Sequence, residues 1–301
     1  MPSRSHDVIA RVLPTIRKTR EIDTAERERR RVETWHAQLD RRLPTRLVPR
    51  FAHRFEVRTE RLGAGFDSHV ITPRRVPVTR TIHYFHGGGY MAPIDPFHVL
   101  YVTRLATRLG ARVVLPDYPL APEHTWRDSH DALVADAAHW AGEPGGVILA
   151  GDSAGGGLAL AVAQSMRDRG LGSPTHLVLH APWVDLTTST PETYDFAERD
   201  PWLFPGKLEA YARWWAGSED DLGRPEVSPA LGDLSGLAPG IVLYGTRDLL
   251  APGCRLLRRR AAAAGWALTG IEEPDLLHVY GLFPYVPEAR RAFRQVVEFV
   301  S

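Results

Sequence analysis

The run Gly151-Asp152-Ser153-Ala154-Gly155 fits the G-x-S-x-G pattern of a serine nucleophile. An apolar stretch, residues 146–150, precedes it, and a small-residue helical pattern over 156–169 follows. A chain that turns from strand to helix in so few residues holds the central serine in a strained conformation, with its hydroxyl presented outward. Residues two places to either side sit too close to the turn to carry a Cβ, and both are glycine. The helix that follows sets its positive N-terminal end beneath the reacting centre.

A serine needs a base beside it, and the base needs an orienting acid. In an elbow of this kind the three come in the order Ser, acid, His. His278 is the one histidine beyond the last expected strands and is taken as the base. His176 and His180 also follow Ser153, but they flank or end an earlier strand. The apolar strand over 241–244 runs into Gly245-Thr246-Arg247-Asp248, which makes Asp248 the acid. Asp275, three residues before His278, competes for that role. Asp152 adjoins the nucleophile, and its side chain should point elsewhere. A second cluster, His86-Gly87-Gly88-Gly89, follows the expected third strand, where an oxyanion loop belongs. Backbone N–H groups without side chains can crowd a tetrahedral oxygen and donate to it, and the N–H of Ala154 would complete the hole.

These residues lie just after strands, so a sheet must position them. Strands are expected over 55–61, 68–71, 79–85, 112–115, 146–150, 177–180, 241–244 and 267–272. Helices over 97–109, 129–140, 156–169, 252–264 and 287–300 alternate with the later ones. That rhythm predicts an α/β fold, a mostly parallel eight-stranded sheet flanked by helices, with ligands at the strands' carboxyl ends. Two regions break it. Residues 24–43 read as a charged helix ended by Pro44 and Pro49. Residues 183–237 are rich in aromatics and proline, and with the N-terminal helix they read as a lid. Trp183 and Phe204 are the aromatics there offered as substrate-pocket residues.

Composition removes other functions. The 37 basic and 36 acidic side chains nearly cancel, which argues against nucleic acid as a partner. Residues 1–60 carry 15 Arg or Lys against 9 Asp or Glu, but acids interleave with the arginines, as on a solvated helix face. Cys254 is alone, so no internal disulfide and no cysteine-based zinc site can form, and a cytoplasmic address is expected. No apolar leader and no apolar run of about 20 residues is read, so no signal peptide or membrane anchor is expected. Thirteen histidines invite a metal, yet there is no H-E-x-x-H, and His124 with His130 lacks i, i+4 spacing. No metal is expected, and the glycine clusters lack the lysine of a phosphate loop.

Taken together, the chain resembles the hormone-sensitive-lipase-like carboxylesterases, the bacterial family IV of the α/β-hydrolase fold. The residues that carry the resemblance are His86-Gly87-Gly88-Gly89-Tyr90, Asp117-Tyr118, Leu120-Ala121-Pro122-Glu123-His124 and Gly151-Asp152-Ser153-Ala154-Gly155-Gly156. Asp248 with Leu249-Leu250, and His278-Val279-Tyr280, extend it over roughly residues 55–300. The resemblance implies ester hydrolysis through an acyl-serine, on short-to-medium acyl chains, with no cofactor. It implies Ser153 as nucleophile, His278 as base then acid, Asp248 as its orienter, and Gly88, Gly89 and Ala154 as oxyanion donors. It makes His86 a brace of the glycine loop and the Glu123 run a structural loop. It implies a cap from residues 1–50 and 185–235 over a core of 51–184 and 236–301, and it leaves a homodimer open. Pro119 stands where the family has arginine, and Tyr90 where it often has Trp or Phe. An amidase or deacetylase with the same triad, or a binding protein on the same scaffold, are the alternative functions.

Overall fold

The structure, a computed structural model, describes residues 2–17 and 20–301. Two helices open the chain, α1 (Arg4–Arg17) and α2 (Ala25–His36), and a single turn, α3 (Phe51–Arg54), leads into the sheet. Then follow β1 (Phe55–Arg61), β2 (Asp67–Pro73), β3 (Arg80–Phe85), α4 (Pro96–Leu109), β4 (Ala111–Pro116) and α5 (His130–Ala141). The middle of the chain supplies β5 (Val147–Asp152), α6 (Ala154–Asp168) and β6 (His176–His180). After β6 come the short helix α7 (Thr193–Phe196) and α8 (Pro205–Ala216). The chain closes with β7 (Gly240–Arg247), α9 (Ala251–Ala263), β8 (Leu268–Leu277) and α10 (Pro287–Val300).

The described strands form one eight-stranded sheet in the order β1-β2-β4-β3-β5-β6-β7-β8. β1 with β2 and β2 with β4 run antiparallel, and every later pair is parallel. Burial follows that geometry. All six residues of β5 are buried, as expected of a central strand covered on both faces, whereas the edge strand β1 is largely exposed. Every residue of helix α6 from Ala154 through Gln164 is buried, because alanine and glycine let it lie close against β5. Asp95 starts α4 by accepting the Phe97 N–H, Pro96 fits the first turn, and Gly110 ends it at φ 60°.

The boundaries differ from the sequence reading in two instructive places. The charged helix expected over 24–43 stops at His36, well before Pro44. There His36 is held by two partners, Glu123 at 2.7 Å from Nδ1 and the Met91 carbonyl at 2.7 Å from Nε2. The chain then turns at Asp40, whose carboxylate accepts the Arg42 N–H. The last strand runs on to Leu277 instead of ending near residue 272, because its pairing with β7 resumes past an irregularity, at Arg247 opposite Leu277. That extension brings the chain directly to His278.

Candidate active site

Ser153 joins β5 to α6 with φ 52° and ψ −125°, a conformation unfavourable for a residue with a side chain. Neighbours hold it there. Its N–H donates to the His180 carbonyl at 2.8 Å, and its own carbonyl accepts the N–H of Trp183 at 2.8 Å and of Gly156 at 3.0 Å. The flanking glycines are required by contact. A Cβ on Gly155 would lie 2.1 Å from the Phe85 carbonyl oxygen, and one on Gly151 would lie 2.3 Å from that of Gly155.

β7 delivers Asp248 and β8 delivers His278 to the same carboxyl-terminal edge. His278 Nε2 lies 2.9 Å from Ser153 Oγ, and His278 Nδ1 lies 2.8 Å from Asp248 Oδ2. The other oxygen of Asp248 accepts the Leu250 N–H at 2.8 Å. All three residues are buried, Asp248 completely, His278 to 2% exposure and Ser153 to 8%. Burial works against a charge on His278, but Asp248, Asp200 and Asp152 outweigh it and hold its pKa above the ordinary value. Asp275 sits on an exposed stretch, its N–H on Thr246 Oγ1, while Asp248 alone of the two carboxylates meets the histidine.

The glycine loop lies beside Ser153 through Asp152. That carboxylate turns away from Ser153 and accepts the Gly87 N–H at 3.0 Å and the Tyr84 hydroxyl at 2.7 Å. Burial would raise its pKa, but His98, Tyr84 and the Gly87 N–H bring it down to about 2. Among the described residues no backbone carbonyl takes up the N–H of Gly88 or Gly89. Their φ values, 122° and 60°, are ones that glycine tolerates. His86 stacks on Tyr118 with ring centroids 4.2 Å apart, and the Tyr118 hydroxyl donates to the His86 carbonyl at 2.8 Å. Burial pushes the His86 imidazole down to about 3, so it is neutral at working pH.

The segment around Pro119 is tied to the N-terminal region and to α8. Arg41, from the N-terminal segment, lies 3.0 Å from Asp117. Glu123 engages His36, away from the triad. Tyr90 stacks on Trp215 of α8 at 4.3 Å and is fully buried.

The two aromatics offered as pocket residues have different surroundings. Trp183 is buried just after β6, 5.7 Å from the Tyr90 ring. Phe204 begins α8, half-buried, with Lys207 Nζ 5.9 Å from its ring centre. The ring that meets His278 is Trp202, edge-on at 5.5 Å. Sequence reading placed Trp202 in the lid without singling it out. Its one signal was the preceding Asp200, a small acid able to cap the turn that Trp202 starts.

Sheet, elbow and hydrogen-bonded relay have the form of an α/β hydrolase. The chain belongs to the alpha/beta hydrolase fold family, whose model matches residues 82–282. An acetyl-hydrolase of Streptomyces hygroscopicus is 34% identical over 226 residues, 73% of this chain and 75% of that protein. The carboxylesterase NlhH of Mycobacterium tuberculosis is 31% identical over 279 residues, 86% of this chain and 85% of that protein. Among solved structures, EstE5 superposes with a TM-score of 0.82 at 29% identity, covering 99% of this chain and 98% of that one. An esterase from the bacterial hormone-sensitive lipase family gives 0.80 at 29% identity, over 100% and 98%.

Proposed function

We propose that this chain is a serine carboxylesterase that hydrolyses short-to-medium-chain carboxylic esters through an acyl-serine intermediate. The continuous hydrogen-bonded line from Ser153 through His278 to Asp248 carries the reading. Ser153 Oγ attacks the ester carbonyl carbon while His278 Nε2 takes its proton. Asp248 holds the ring with Nδ1 protonated and stabilises the imidazolium that forms. The N–H groups of Gly88, Gly89 and Ala154 donate to the oxyanion, a donor of this kind contributing about 3 kcal/mol. His278 then protonates the leaving alcohol oxygen and the carbonyl reforms. Water, activated by the same histidine, releases the acid and restores Ser153. No cofactor enters any step.

Residues 1–50 and 185–235 form one cap in this reading, over a core of 51–184 and 236–301. Contacts between the two cap segments support it. Glu21 Oε2 accepts the Gly206 N–H at 3.1 Å, and the Tyr211 hydroxyl donates to buried Glu28. Tyr211 is thereby held over the glycine loop, where a Cβ on Gly89 would lie 3.1 Å from its ring. A wall so close to the oxyanion donors favours small acyl groups. No helix among the described residues is long and apolar enough to cross a membrane. The lone buried thiol of Cys254 supports a cytoplasmic site of action.

The test is turnover of p-nitrophenyl esters from acetate to dodecanoate, with Ser153→Ala alongside. Turnover greatest at the short acyl chains and lost in the variant supports the reading. Wild-type rates in a folded Ser153→Ala protein would end it.

A further inference from the structure

One buried carboxylate near the triad has no part in that mechanism. Asp200 belongs to the segment between β6 and β7, is 4% exposed, and lies beside Asp248 and His278. Its Oδ2 accepts the Leu249 N–H at 2.8 Å, the peptide next to the triad acid. Its Oδ1 accepts the N–H of Trp202 at 2.8 Å and of Leu203 at 3.1 Å. Trp202 in turn sets its ring edge-on to His278.

We propose that Asp200 is a positioning residue for the triad, a carboxylate of the cap segment that fixes the Asp248 loop and the Trp202 ring about His278 and adds a second anion behind the imidazolium. The proposal rests on the esterase reading above.

The bonding pattern separates this role from ordinary loop capping. A capping aspartate holds the N–H groups of its own turn, as Asp200 does with Trp202 and Leu203. Asp200 also reaches 49 positions along the chain to Leu249. Both triad partners are therefore referred to one side chain. The anion matters as well as the tether. The charged groups facing His278 are Asp248 after β7, Asp152 at the end of β5 and Asp200 from the cap segment, all carboxylates. The neighbouring cations are engaged elsewhere: Arg199 lies 5.6 Å from the Phe196 ring centre, and Arg247 Nε donates to the Arg199 carbonyl at 3.0 Å. Burial and the charge of Asp248 push the Asp200 carboxyl up to about 6, so it is anionic in a mildly alkaline assay.

The experiment compares wild type with Asp200→Asn and Asp200→Ser, both neutral, by pH profiles of kcat and KM on p-nitrophenyl acetate. Misplacing a reacting group costs up to about a hundredfold, and we expect kcat to fall about tenfold with KM little changed. The acid limb should move to lower pH, because removing an anion disfavours the imidazolium. Capping alone would change the unfolding midpoint and leave the limb where it was. A folded neutral variant with wild-type kcat and an unmoved limb overturns the proposal. So does failure of both variants to fold, which would make Asp200 a folding residue. Labelling by a fluorophosphonate keeps the two readings apart. A wild type that is unlabelled and inactive would end the esterase reading itself, whereas a labelled, active wild type matched by its variants would end only the role of Asp200.

Discussion

Asp152 adjoins Ser153 in sequence, yet its carboxylate serves Gly87 instead, accepting that residue's N–H at 3.0 Å. The strand that leads into Ser153 and the glycine loop are thus joined through one buried acid. Asp152→Ala would leave the Gly87 N–H and the Tyr84 hydroxyl without their acceptor. We expect a loss of about 3–5 kcal/mol in urea unfolding, the range for breaking a buried charged network, together with reduced kcat. The carboxyl titrates at about 2 in the fold. Because that value is depressed, its stabilisation is present above the unfolded pKa of about 3.9 and is lost as pH falls through the folded value.

Gly88→Ala should spare the fold and damage turnover. The residue has φ 122°, and its Cβ would lie 2.8 Å from the Ala92 Cβ. The loop must move to admit it, which takes a proposed oxyanion donor out of place. A fall in kcat of about a hundredfold is expected, with KM less affected, read from steady-state kinetics on p-nitrophenyl acetate.

Asp248→Asn removes the partner that fixes the tautomer of His278. The expected loss in kcat at neutral pH is roughly 10³–10⁴-fold, by analogy with a well-studied protease triad. In wild type the acid limb of kcat/KM should lie above the ordinary imidazole pKa, since the surrounding carboxylates outweigh burial at His278. In the variant it should move down.

Three of the other buried histidines should make the fold acid-sensitive. Burial, first of the causes at each, pushes His86 down to about 3 and His130 and His180 to about 4. These folded values are depressed, so below about pH 6.5 the unfolded chain takes up protons first and stability declines as pH falls. Each contributes a slope of up to about 1.4 kcal/mol per pH unit, which His278, shifted the other way, partly offsets. Urea midpoints should drop steadily from neutral pH toward about pH 5. A flat profile there would contradict the burial of these rings.

The sheet, and the meeting of Ser153, His278 and Asp248 at its carboxyl-terminal edge, were legible because each rests on a local signal. The apolar run before Gly151 and the small residues after Gly155 define an elbow without reference to distant residues. Asp248 and His278 follow from chain order after two apolar strands. Which aromatic of residues 183–237 meets His278 was not legible at that level. Trp183, Trp202 and Phe204 are equally aromatic in a proline-rich stretch, and it is Trp202, next to the Asp200 that is tethered to Leu249, whose ring meets His278. The early end of α2 has a similar cause, since His36 finds its partners at Met91 and Glu123, far along the chain.

The central claim is that Ser153 is the residue that takes the acyl group. The most direct measurement is to inactivate the wild type with a fluorophosphonate and locate the adduct by peptide mass spectrometry. The account predicts one adduct, on the peptide that holds Ser153, formed in step with the loss of p-nitrophenyl acetate turnover. An adduct on another residue, or full turnover by protein labelled at Ser153, would contradict it.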